Sequence, residues 1–372
     1  MLKIAFIIDT IESPTAGTEK QLLMLIKHLD RSRFEPTLFV LRSSRWLQHD
    51  FDLCPLVVID FRSFAHPVSY QHFLRFVTTL REKRFDCIQT HFIESNIIGI
   101  VAGRLAGVPL IISSRRDQGY WHTPAKIMLY KVLNHWVHYF VANCHATATW
   151  ASEIETIPRE RIKIIYNGVE IEQFQPVSAS EKNEIRRELG LKEESFVVGI
   201  VANLRPVKRV DTFLRAAALA NSSRADLQFL VAGDGEQRKE FENMVSEAGM
   251  ADKTFFLGKR TDIPRILAAC DAAILSSSSE SFSNSIVEYL ASGLPVISTD
   301  VGGCREIIED GVNGFIVPVD DPEAIAGRIA ELATDDHPEI TKTANREKAN
   351  RMFSRESMVA SFERLYSEGS SQ

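Results

Sequence analysis

Apolar positions along the chain fall into two alternating patterns, and the alternation predicts the architecture. Short runs rich in branched and aromatic residues, at 3–8 (KIAFII), 36–41 (PTLFVL), 55–60, 87–92, 110–114, 139–144 and 163–166, have the length and composition of strands. Between most of them apolar residues recur at helical spacing, as in Leu22, Leu23, Leu25, Ile26 and Leu29. Such alternation predicts parallel sheets covered by helices. Near residue 170 the rhythm breaks at Asn167-Gly168 and a polar stretch around Pro176. A second series follows at 196–202, 227–232, 254–257, 272–275, 295–298 and 315–317, and helical patterns over 322–332, 338–352 and 356–367 end the chain. The expected fold is α/β: two doubly wound parallel-sheet domains, 1–172 and 173–355, facing across a cleft, with a helix in 356–372 packing back over the body. Ligands of open α/β sheets sit beyond the carboxyl ends of the strands, so the site is expected between the domains.

Composition narrows the class. A length of 372 residues suits two cores rather than one, and 45% apolar with 25% charged residues is an ordinary globular balance. The five cysteines are scattered and lack a Cys-x-x-Cys pair, which points to a reduced, cytoplasmic setting and away from disulfides or zinc. The opening MLKIAFIID runs straight into a strand pattern rather than a leader peptide, and the longest apolar stretch, 97–113, is broken by Arg104. Charge is divided unevenly: residues 1–172 hold 20 Lys and Arg against 17 Asp and Glu (+3), the remainder 23 against 32 (−9). The basic half suits an anionic substrate or lipid surface, or is an ordinary solvated exterior.

Three stretches carry candidate chemistry. After the first strand, Ala16-Gly17-Thr18-Glu19 opens a helix; Gly17 allows backbone N–H groups to approach a phosphate, while the plainer alternative is a βα turn capped by Thr18. The dinucleotide fingerprint Gly-x-Gly-x-x-Gly is missing there, which argues against a dehydrogenase. In ESFSNSIVEYLASGLPVIS, Glu280 and Glu288 lie eight positions apart, about 12 Å along a helix and too far for the paired carboxyls of a glycosidase unless Glu280 curls inward. A helix capped by Ser283 or Asn284 and running to about Ser292 would leave the N–H groups of Phe282, Ser283, Asn284 and Ser285 open to a diphosphate. Glu288 could then take a ribose diol and Glu280 a sugar; taken by spacing alone, both glutamates equally suit a solvent-facing helix. Third, Asn203-Leu204-Arg205-Pro206-Val207-Lys208-Arg209 puts three cations in five residues after the strand at 196–202, either to neutralise a departing diphosphate or as a solvated turn.

In order along nearly the whole chain, these segments resemble the retaining glycosyltransferases of family 4, whose GT-B fold has two Rossmann-like domains. Ala16-Gly17-Thr18-Glu19 is similar to the family's Gly-Gly-x-Glu loop, with Ala16 in place of one glycine. Asn167-Gly168-Val169 with Phe174, and Gly233-Asp234-Gly235, match further segments. The most specific match is Glu280-x7-Glu288 followed by Ala291-Ser292-Gly293-Leu294-Pro295, then Gly302-Gly303, Glu306-Ile307-Ile308 and Asp310-Gly311-x-x-Gly314-Phe315. The resemblance implies that Glu288 binds the ribose of a nucleotide sugar, Glu280 the transferred sugar and Lys208 the diphosphate. It also implies that His91 lies near the donor sugar, and that Arg115-Arg116-Asp117 could meet a charged acceptor. Two departures stand out: Asn203 occupies the usual place of an arginine, leaving Arg205 or Arg209 to substitute, and Ser281 and Ser283 replace glycines, which works only if neither needs a positive φ.

The resulting expectation is an enzyme that transfers a hexosyl group from a UDP- or GDP-sugar to an acceptor hydroxyl with retention, in the synthesis of a glycan, polysaccharide or glycolipid. It needs no cofactor and no metal, since no Asp-x-Asp pair ends a strand; nucleic acid is not a partner. The acceptor is a sugar or a lipid-linked sugar. Tyr120, Trp121, Lys126, Lys131, Trp136 and Tyr139 either rest on a membrane or have their aromatics buried in the core. The rivals are a nucleotide-sugar epimerase of the same fold and a non-catalytic nucleotide-sugar-binding partner.

Overall fold

A strand covered on both faces needs apolar side chains at every position, and β1 (Leu2–Ile8) meets that demand: Ile4 to Ile8 are fully buried. The computed structural model describes residues 1–15, 17–119, 123–334 and 340–370, and the chain divides into two compact units. Unit 1 is Met1–Gly168 together with Arg355–Gln372; unit 2 is Val169–Ser354. The chain thus leaves unit 1 four residues ahead of the boundary read from the sequence (168 against 172) and re-enters it at Arg355.

In unit 1, β1 is followed by β2 (Phe34–Val40), β3 (Leu56–Val58), β4 (Cys87–Thr90), β5 (Leu110–Arg115), β6 (Tyr139–Ala142) and β7 (Ile162–Ile164). They form one parallel sheet in the order β3-β2-β1-β4-β5-β6-β7. The last helix, Arg355–Gly369, belongs to this unit: Met358, Val359, Phe362, Leu365 and Tyr366 are buried in one cluster with Ile4, Phe6 and Leu25. Each such large apolar side chain contributes about 1.5–3 kcal/mol through burial.

Unit 2 repeats the plan with β8 (Phe196–Val201), β9 (Leu227–Ala232), β10 (Thr254–Gly258), β11 (Ala272–Leu275), β12 (Val296–Thr299) and β13 (Gly314–Val317), ordered β10-β9-β8-β11-β12-β13 and again parallel. Among the described residues, each of the thirteen strands overlaps a run picked out from the sequence. Strand order reverses between β1 and β4 in one sheet and between β8 and β11 in the other. At such a reversal the connecting helices leave toward opposite faces and open a crevice at the carboxyl ends of the strands.

Candidate active site

The crevice of unit 2 gathers the candidates from the second and third stretches. After β8 the chain passes through exposed Asn203, buried Leu204 and exposed Arg205 into a single 3-10 turn, Pro206–Lys208. The segment after β11 fastens that turn: Ser276 Oγ donates to the Lys208 carbonyl (2.9 Å), and the Ser278 N–H (2.9 Å) and Oγ (3.2 Å) donate to the Val207 carbonyl. Lys208 Nζ then meets Glu280 Oε1 at 2.5 Å, and Ser277 Oγ donates to the same oxygen at 2.8 Å. Arg209 adopts a left-handed backbone (φ +46) that ends the turn, so the following helix begins at Val210. Its guanidinium is engaged by Asp320 (2.5 Å) and Asp211 (3.2 Å). Burial acts to raise the Asp211 carboxyl, but hydrogen bonds from Arg209 and Arg215 outweigh it and hold the group below its ordinary range. Among the described residues no ion-pair partner is found for Arg205, which leaves it the more available of the two arginines.

The helix of the second stretch is Asn284–Ala291. Ser283 is its N-cap, accepting from the Ile286 N–H, and Ser292 is its C-cap, as the sequence suggests. Ser283 has φ −88, and neither it nor Ser281 is among the residues with positive φ, so serine costs no strain at either former glycine position. Phe282 is buried, and its ring packs on Phe353 at 5.7 Å. Ser285 Oγ donates to the Val201 carbonyl (3.1 Å), and the buried Tyr289 hydroxyl accepts from the Val201 N–H (2.8 Å), which pins the helix to the end of β8. Glu288 lies within this helix and is 9% exposed.

Two glycines complete the crevice because a side chain would not fit. Gly233, φ +145, follows β9, and a Cβ there would sit 1.8 Å from the Ala202 carbonyl oxygen. Gly302, φ +51, lies against the loop bearing Glu280, where a Cβ would be 2.1 Å from the Glu280 carbonyl oxygen. The Gly303 N–H donates to the Ser281 carbonyl at 2.8 Å.

Unit 1 has its own cavity at the β1/β4 reversal, about 340 Å³ and lined among others by Asp9, Thr18, Phe92, Asn96, Arg116 and Trp150. Thr18 was a candidate; Gly17 starts the helix Gly17–His28 and is exposed, and Ala16 lies outside the described residues. Phe92 has φ +66 and ψ 176, a region that only glycine enters freely and that costs on the order of 1–3 kcal/mol for other residues. Having no cap of its own, the helix Ile93–Ala106 takes one from Asp9, which accepts from the Ser95 N–H (2.8 Å) and Oγ (2.5 Å). Burial nevertheless leaves the Asp9 carboxyl above its ordinary range, the Ser95 bonds opposing.

Of the two arginines assigned to a charged acceptor, Arg115 is spent inside the wall. It is buried and pairs with Glu155 through Nε (2.9 Å) and the terminal nitrogen (2.8 Å), and it also reaches Ser113 and Asn134. Arg116 bonds Asn167 and is held by burial down to about 10, with Glu19 opposing. His91 follows β4 and is buried; burial, and secondarily the Arg116 cation, push its imidazole down to about 3, so it is neutral at physiological pH. Phe92, Asn96 and Trp150 were missed by the sequence reading, which had no signal for a strained backbone or for a tryptophan arriving from a distant helix.

Comparison with known proteins supplies the family. Residues 15–173 match the family model Glycosyltransferase Family 4, and residues 181–352 match Glycosyl transferases group 1. The chain is 29% identical over 268 residues to the Escherichia coli UDP-Gal:alpha-D-GlcNAc-diphosphoundecaprenol alpha-1,3-galactosyltransferase, covering 69% of this chain and 68% of that one. It is 29% identical over 211 residues to the Bacillus anthracis N-acetyl-alpha-D-glucosaminyl L-malate synthase, covering 56% of this chain and 54% of the relative. In fold it is similar to Anabaena HepE in complex with UDP, with a TM-score of 0.87 at 24% identity over 99% of this chain and 100% of that one. HepE in complex with UDP-glucose gives 0.81 at 25% identity over the same shares. The two family models together take in all but the ends and a short connector, and the chain belongs to the family 4, group 1 glycosyltransferases, with the GT-B fold.

Proposed function

We propose that the protein transfers a hexosyl group from a UDP-sugar to an acceptor hydroxyl with retention of anomeric configuration. The observation that carries this reading is the cluster at the β8/β11 reversal, where Lys208 and Glu280 meet at 2.5 Å just ahead of the capped helix Asn284–Ala291. A diphosphate lies against the N–H groups of Phe282 to Ser285 and draws Lys208 and Arg205 to itself; Asn203, Gly233 and Ser281 border it. Charge-assisted hydrogen bonds of this kind contribute about 1.5–3 kcal/mol each. Glu288 takes the ribose diol and Glu280, once Lys208 turns to phosphate, the transferred sugar. Arg209, occupied by Asp211 and Asp320, holds the turn rather than the ligand.

In the transfer step the acceptor oxygen bonds to the anomeric carbon as the bond from that carbon to the β-phosphate oxygen breaks. The electron pair stays on the departing phosphate, which takes the acceptor proton on the same face. Lys208, Arg205 and the helix N–H groups stabilise that charge, each 1.4 kcal/mol of selective stabilisation giving about tenfold in rate. No metal is assigned to the diphosphate, so EDTA leaves turnover unchanged. The neutral imidazole of His91 serves as a hydrogen-bond donor to substrate rather than as an acid or base. The cavity lined by Thr18, Asn96, Arg116 and Trp150 takes the acceptor.

Lipid-linked acceptors suit a second feature. The helix Pro124–Leu133 and the residues after it expose Met128 (65%), Val132 (54%), Leu129 (41%) and Trp136 (37%), beside Lys126 and Lys131. From Ser95 to Ser152 the only acid among five Lys and Arg is Asp117. An apolar face flanked by cations fits the surface of an anionic bilayer. Tyr120 and Trp121 lie outside the described residues.

Thermal unfolding with UDP-glucose, UDP-galactose, UDP-GlcNAc and GDP-mannose tests the donor assignment. A matched UDP-sugar at 100 times its Kd stabilises by about 2.7 kcal/mol, and Glu288→Gln loses most of that. No stabilisation by any nucleotide sugar, or equal stabilisation of the variant, removes the reading.

A further inference from the structure

We propose that the C-terminal helix Arg355–Gly369 decides which nitrogen of His91 carries the proton: Tyr366 fixes the Gln89 amide, the amide NH2 occupies Nε2, and Nδ1–H becomes a preset donor to a substrate oxygen. The inference rests on the glycosyltransferase reading above and makes Tyr366 and Gln89 positioning residues for His91.

The chain of contacts is short and closed to water. Tyr366 and Gln89 are fully buried, and His91 is 1% exposed. The Tyr366 hydroxyl donates to Gln89 Oε1 at 2.5 Å, Gln89 Nε2 lies 3.3 Å from His91 Nε2, and Gln89 Nε2 also reaches Ser114 Oγ at 3.4 Å. With Oε1 accepting from the Tyr366 hydroxyl, the NH2 end of the amide is turned to His91 Nε2 and Ser114 Oγ. Burial keeps the Tyr366 hydroxyl protonated, well above its ordinary range, so it remains a donor. The other end of the amide can only donate, and a neutral imidazole that accepts at Nε2 must hold its proton on Nδ1.

Nδ1 is buried and has no hydrogen-bond partner in the protein. A buried donor left unsatisfied destabilises the free protein. A substrate oxygen that accepts from it removes that cost on binding. Because Phe6, Phe34 and Phe362 pack around the Tyr366 ring, the hydroxyl is held in place by contacts that do not depend on it.

Tyr366→Phe keeps the ring and deletes the donor; Gln89→Leu removes the amide. Long-range 1H–15N spectra of histidine-labelled protein, with His91 assigned by its loss in His91→Asn, should show the proton on Nδ1 in the wild type. A mixture of tautomers or its inversion is expected in both variants. With UDP-glucose, turnover measured well below the variants' unfolding midpoints should fall about tenfold while KM stays within a factor of about two. A proton on Nε2 in the wild type, an unchanged tautomer in both variants, or unchanged kcat alongside a changed tautomer overturns the proposal. If the wild type turns over no UDP-glucose, the donor assignment fails separately, and the spectra alone decide the link from Tyr366 to His91.

Discussion

At the scale of single residues, His91 makes stability depend on pH in a direction that can be worked out. Burial, with Arg116 nearby, lowers its folded value to about 3 from an ordinary 6.5, so between those values the unfolded chain binds the extra proton. Stability from this group is therefore complete above pH 6.5 and is lost as pH falls through the window, by at most about 1.4 kcal/mol per pH unit. Denaturant unfolding of unit 1 at pH 6.5 and at about pH 5 should show wild type losing roughly 1–2 kcal/mol more than His91→Asn. Equal losses would take His91 out of the account. The candidates Glu280, Glu288 and Lys208 were legible in the sequence as a group because they sit at fixed spacings on local elements, and the structure brings Lys208 and Glu280 together. The choice between Arg205 and Arg209 was not, since it turns on Asp320, 111 residues away. Nor could letters alone reveal the fate of Arg115, which is settled by Glu155.

Elements were read more successfully than their joints. Parallel strands covered on both faces appear as unbroken apolar runs, which is why β1, β8 and β9 stand out. After β8 the helix begins only at Val210, because Arg209 turns left-handed and a 3-10 turn intervenes. Joints depend on close backbone approaches that leave little trace beyond a glycine. Gly302 is the sharpest case, as an added Cβ would strike the Glu280 and Ser281 carbonyl oxygens at 2.1 and 2.7 Å. Gly302→Ala should displace Glu280 and cut UDP-sugar turnover by at least about tenfold. Gly249, also left-handed at φ +65 but with nothing within 4 Å, is the control: Gly249→Ala should cost about 1 kcal/mol of stability and leave turnover intact. Comparable turnover in the two variants would show that the Gly302 contact does not hold the glutamate.

Across the whole molecule the division of charge gains a location. The sequence alone left Trp136 and Tyr139 open between core and surface, and the structure splits them: Tyr139 is half-buried, while Trp136 and the neighbouring Met128 and Val132 are exposed. Which face of that helix packs inward depends on tertiary contacts that its apolar residues do not specify. Among the described residues no helix is long and apolar enough to cross a membrane, and the lipid contact proposed above is assigned to this face. Flotation with vesicles of phosphatidylglycerol and phosphatidylcholine should recover the wild type at low salt and less of it at about 0.5 M, where screening shortens to a few ångströms. Met128→Ser/Val132→Ser should remain unbound at both. Flotation of the double variant equal to wild type would move any lipid contact elsewhere.

Unit 2 interrupts unit 1, and this has a bearing on synthesis. The helix carrying Phe362 and Tyr366 emerges from a ribosome after all of unit 2, yet it covers apolar side chains that were made before unit 2, among them Ile4 and Phe6. The early half of the nascent protein must therefore wait, with part of its interior uncovered, while the 186 residues of Val169–Ser354 are translated. Unit 2 carries no such delay, being one continuous segment, and order of completion along the polypeptide is the reverse of order of beginning.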